Sequence, residues 1–96
     1  MRRGVVVTAL REMAERIGSY SAGSEWYLFG SVARDAPHPS DIDLMILCVD
    51  DAQADNLREM IDPDTLILPI HLCLLRFDEA HEVDAIEVQK ACKIFP

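Results

Sequence analysis

A small α/β domain, with helices covering a sheet of three or more strands, is the fold class this sequence predicts. Three observations predict it. Apolar residues recur at helical spacing in the first segment and again between apolar runs. Short aromatic and aliphatic runs at residues 25–29, 41–49 and 66–75 read as strands. Helical and strand patterns then alternate along the chain, as helices layered on a sheet require. A length of 96 residues, half of them apolar, suits one domain over residues 1–96 with a core that needs no disulfide.

The elements follow in order. Residues 5–17 form an amphipathic helix, with Val6, Ala9, Leu10, Met13, Ala14 and Ile17 on one face and Arg11, Glu12, Glu15 and Arg16 on the other. Gly18 stops it, and small residues connect it to the strand at 25–29. Gly30-Ser31 ends that strand, and Ser31 is placed to cap a short helix over residues 32–35. Pro37 and Pro39 keep residues 36–40 as loop. The strand at 41–49 gives way at Asp50-Asp51 to a helix ending near Ile61, its acids suited to the positive helix end. Asp62-Pro63-Asp64 is a turn. The third strand spans 66–75, with Pro69 marking an edge or a bulge. Asp78 caps a last helical region carrying Ala80, Val83, Ile86, Val88 and Ala91, and residues 93–96 are a tail that can pack back on the sheet.

Composition narrows the function. Nine basic residues against 17 acidic give a net charge of -8, and the one basic doublet is Arg2-Arg3. Such a surface repels a nucleic-acid backbone, so direct nucleic-acid binding is not expected. The acidity reads as a solvated surface, with a basic partner or metal binding as the alternatives. Three cysteines, Cys48, Cys73 and Cys92, are widely spaced among apolar residues without metal-ligand spacing. Buried free thiols of this kind fit a reducing cytoplasm. No run reaches the roughly 20 apolar residues of a membrane span, and no secretory leader is recognisable.

Chemistry concentrates in residues 28–46. Asp41 and Asp43 are i and i+2 on a strand, so they project to one face while Ile42 and Leu44 point to the other. Two adjacent carboxylates repel unless something pairs with them, and no Lys or Arg adjoins them in sequence. Magnesium, with its preference for hard oxygen ligands, is the partner this pair suits. Gly30 lets backbone approach a ligand, and Ser31 offers a hydroxyl and the start of a helix to a phosphate. Each signal alone has a plainer explanation: Gly-Ser as a helix cap, Asp-x-Asp as a solvated strand end. Joined as Gly-Ser-x9-Asp-x-Asp between apolar strands, they are far more specific.

The segment Phe29-Gly30-Ser31-Val32-Ala33-Arg34, followed by Ser40-Asp41-Ile42-Asp43-Leu44, resembles the signature of the nucleotidyltransferase superfamily that includes DNA polymerase beta. The short chain is similar to its minimal nucleotidyltransferase branch, whose members often pair with HEPN-domain proteins. The resemblance implies a small mixed sheet, nucleotide binding by Gly30 and Ser31, and metal binding by Asp41 and Asp43. It implies transfer of a nucleoside monophosphate from a triphosphate, ATP with Mg2+, to a hydroxyl, with release of pyrophosphate. Arg34 stands where the family commonly has arginine; it either faces phosphate or pairs with Asp35 or Asp41. Two positions depart from the pattern. Asp35 replaces a frequent glycine, and His71 stands where the third carboxylate is expected on the third strand. Histidine is a poor magnesium ligand. It either serves as a general base near its working pH or is held structurally at the sheet end.

Three functions compete at this level. The first is an active transferase acting on a protein or a small molecule, as the antitoxin of a HEPN-type pair. The second is a degenerate member that neutralises a partner by binding alone. The third is a plain α/β domain whose acids are solvated ornament.

Overall fold

Helix α1 forms over Arg3–Ile17 because its apolar residues return to one face, and Val6, Leu10, Met13 and Ala14 are buried there. Gly18 ends it at φ +63°, and its N–H donates to the Ala14 carbonyl. A 3-10 turn at Gly18–Ser21 leads to strand β1 at Glu25–Phe29, the four-residue helix α2 at Gly30–Ala33 and strand β2 at Ile42–Cys48. Helix α3 spans Asp51–Met60 and strand β3 Ile70–Arg76. Helices α4 (Phe77–Glu82) and α5 (Ala85–Val88) precede strand β4 at Cys92–Phe95. The computed structural model describes residues 2–96.

The four strands form one mixed sheet in the order β3-β2-β1-β4. Strand β1 runs antiparallel to β2 and to β4, whereas β2 and β3 are parallel. A parallel pair needs a crossover, and α3 supplies it between β2 and β3. Asp50 caps α3 by accepting the Gln53 N–H at 2.8 Å, as the acids after β2 predict.

Strand alternation separates two apolar layers. Trp26, Leu28, Ile42, Leu44, Ile46 and Cys48 face α1 and α3 in the larger one. Tyr27, Met45 and Leu47 face α4 and α5 through Ala80 and Ala85 in the smaller one. Odd-numbered residues of β2 thus point to the α4–α5 side, which places Asp43 on that side too.

Three expectations change and one, the tail packing on the sheet, is sharpened. The apolar run at residues 66–69 is not strand, since β3 begins at Ile70. Ile70 donates its N–H to Pro63 at 2.8 Å, so the preceding segment is looped back, and Ile67 is 87% exposed. The Pro69 carbonyl accepts from Ile42 at 2.8 Å, and the irregularity sits just outside an edge strand. The last helical region is broken at Asp84, which takes φ +54°. The tail is a strand: Ile94 is buried, and Phe95 meets the edge of Trp26 with ring centroids 6.0 Å apart. Finally, Ser31 does not cap α2. The helix starts two residues earlier than expected, at Gly30, with Phe29 in the cap position.

The core makes alkaline stability predictable. The Tyr27 hydroxyl donates to Glu25 Oε1 at 2.8 Å. Burial, then this bond to a carboxylate, pushes the Tyr27 phenol up to about 12 from 10.0. Burial, then the nearby Asp50 charge, pushes the Cys48 thiol up to about 11 from 9.0. Both folded values are raised, so both contributions are complete below pH 9.0 and are lost as pH rises through about 11 and about 12. Denaturant unfolding at a series of pH values should show stability falling across that window. Tyr27→Phe should flatten its upper part; an unchanged profile in that variant contradicts the assignment.

Candidate active site

The C-terminal end of β1 and the N-terminal ends of β2 and β3 meet at one edge of the sheet. This follows from the register, in which Phe29 lies opposite Asp43 and Asp43 beside His71. Asp41 directly precedes β2, and Asp43 is its second residue. Helices α4 and α5 cover the other end of this face, against Leu47, Tyr27 and Met45. The acids are therefore left accessible.

Asp41, Asp43 and His71 each bring a ligand atom within 4.8 Å of the others. The expected projection of both acids to one side is met, and His71 joins them from the neighbouring strand. Asp43 Oδ1 lies 3.2 Å from His71 Nδ1. With Asp43 ionised, the carboxylate only accepts, so this contact needs the proton on Nδ1. The Asp43 side chain is 18% exposed and that of His71 is 74% exposed. His71 is thus not a packed structural histidine. Its ring is held by one carboxylate and otherwise faces solvent.

Gly30 sits against Asp43. It has φ +74°, and a Cβ built on it would strike Asp43 Oδ2 and lie 2.9 Å from Cγ. Glycine is needed here twice, for the backbone angle and for the close approach. The tightest neighbour of an added carbon at Gly30 is the carboxylate of the second acid. A long-range contact of this kind leaves no local signal.

Ser31 lies in the first turn of α2, and among the described residues its side chain makes no hydrogen bond to protein. A helix of four residues aligns too few peptide dipoles for a strong field. Arg34 follows α2, is exposed, and among the described residues pairs with neither Asp35 nor Asp41. Asp35 instead accepts the Arg3 N–H at 3.4 Å, tying the start of α1 to the end of α2.

Fold and site together define a class: a small mixed-sheet domain with a glycine–serine turn and paired acids gathered at one sheet end. The match to known families makes the class particular. The family model described as Nucleotidyltransferase domain matches residues 9–95, and the chain belongs to that family. Membership supports nucleotidyl transfer as the general activity. No curated protein and no solved structure matches the chain. No helix among the described residues is long and apolar enough to cross a membrane.

Proposed function

We propose that this chain transfers a nucleoside monophosphate, AMP from ATP, to a hydroxyl on a protein or small molecule. The observation that carries the reading is the convergence of Asp41 and Asp43 beside the Gly30-Ser31 turn in a chain of this family. The donor set fits a divalent cation, because two carboxylates on one strand face repel until a cation joins them. When bound, the cation neutralises phosphate charge and activates an attacking oxygen. Asp41 and Asp43 would hold it. The Ser31 hydroxyl donates to a phosphate oxygen, and Arg34 supplies a positive charge to the triphosphate. In the reaction the acceptor oxygen bonds to the α-phosphorus, the bond to the β-phosphate bridge breaks, and pyrophosphate leaves. The hydroxyl proton passes to solvent or to a base.

The acceptor is either a small molecule or a hydroxyl presented by a partner. A small helical HEPN-type protein, with this chain as its cytoplasmic antitoxin, is the partner the minimal branch suggests. Incubation with labelled ATP, a divalent cation and a candidate partner should place label on the partner. Binding and neutralisation with no label would overturn the transferase reading. That outcome favours the second reading, a degenerate fold that neutralises by binding. Its supporting observation is the histidine at the position of the third acid, beside Asp43.

A further inference from the structure

We propose that His71 is the third donor of the cation site, through Nδ1, and that the site therefore prefers Mn2+ to Mg2+. The inference rests on the cation-binding half of the reading above and is independent of transfer.

The argument turns on which oxygen of Asp43 is free. Oδ2 is turned toward Gly30, where even one added carbon would collide with it. Oδ1 is the oxygen that faces outward, and it faces His71 Nδ1 at 3.2 Å. Two donors in adjacent positions, each about 2.1 Å from a first-row cation, are about 3 Å apart. The observed separation already matches that requirement. Asp41 brings a third donor within 4.8 Å of both.

A cation on Asp43 Oδ1 cannot leave the imidazole as it is. The proton on Nδ1 would point at a positive ion. A neutral imidazole avoids this by carrying its proton on Nε2, which exposes the Nδ1 lone pair to the cation. The ring is free to do so, since His71 is exposed and no packed neighbour fixes its tautomer. The same step removes Nε2 as a general base, because that atom now holds the proton. Loading the site thereby rules out the general-base role that the sequence left open for His71 and makes the ring a ligand.

One nitrogen and two carboxylates are not a magnesium set. Magnesium favours oxygen, whereas imidazole suits first-row transition cations. Replacing a family carboxylate by His71 therefore changes which cation is preferred rather than emptying the site.

The test is calorimetry of the metal-stripped full chain with Mn2+ and with Mg2+, without nucleotide. Parent protein, His71→Ala and His71→Asp are compared. Mn2+ binds carboxylates somewhat better than Mg2+ at any site, so the difference between variants decides. His71→Ala should weaken Mn2+ by about tenfold while changing Mg2+ little, and His71→Asp should strengthen Mg2+ relative to Mn2+. Both substitutions are at an exposed side chain, and circular dichroism checks that the fold is kept. With Zn2+ as a diamagnetic probe, the His71 ring resonances should shift on binding. Equal Mn2+ affinity in parent and His71→Ala, or no ring shift with Zn2+, overturns the inference. A chain that binds Mn2+ through His71 but transfers no nucleotide keeps this inference and loses the transferase reading.

Discussion

Asp43→Asn should reduce transfer of labelled AMP by about 100-fold or more while leaving the folded protein at least as stable as its parent. The two halves of this expectation have separate causes. Asparagine keeps the shape that packs on Gly30 and can still contact His71, so the sheet end is not disturbed. It also removes one of two neighbouring negative charges, which relieves repulsion when no cation is bound. What it loses is an anionic ligand, and with it most of the affinity for a divalent cation. Thermal unfolding and a cation titration on the same preparation separate the effects. A parent-like transfer rate in Asp43→Asn would remove this residue from the reacting group. Lost activity with an equally lowered midpoint would mean only that the fold had failed. Asp41→Asn should behave alike, because its carboxylate belongs to the same group.

Much of this geometry was legible because it follows from local rules. A period of two placed Asp41 and Asp43 on one face and Ile42 and Leu44 on the other, and the structure keeps that separation. The helical period located α1 and its buried stripe, and Asp50 announced the start of α3. Two features that were not legible depend instead on a partner distant in the chain. Residues 66–69 are as apolar as a strand, but no neighbouring strand is aligned to take their backbone groups before Pro69 meets Ile42. The four residues of β4 carry too short a pattern to stand alone. They become a strand because β1 offers an open edge and Trp26 offers Phe95 a surface. The break between α4 and α5 turns on a left-handed Asp84, which aspartate tolerates without marking it in the apolar pattern. At the site, residue types were readable and distances were not. That His71 lies beside Asp43 depends on the register of two parallel strands, which no single stretch of sequence contains.

Gly30→Ala is the sharpest test of how the turn and the acids are coupled. The alanine would need φ near +74°, a region that costs an L-residue about 1–2 kcal/mol. Its Cβ would also press on the Asp43 side chain, 3.2 Å from Cβ and 2.9 Å from Cγ. The Asp43 Cβ cannot yield freely, because its backbone is paired to β1 on one side and β3 on the other. The carboxylate must therefore swing out, away from Asp41 and His71. The expected result is a loss of about 2–4 kcal/mol in unfolding free energy, together with a drop in cation affinity. A double-mutant cycle with Asp43→Ala divides the two costs. Removing the carboxylate removes most of the collision but none of the backbone strain, so Gly30→Ala should then cost only about 1–2 kcal/mol. The same cost in both backgrounds would show that the backbone angle alone demands glycine. A smaller cost without the carboxylate shows that the turn and the second acid are built against each other. In that case the position of Asp43 is set by the same residue that opens the Gly30-Ser31 turn, and neither the turn nor the second acid can be altered alone.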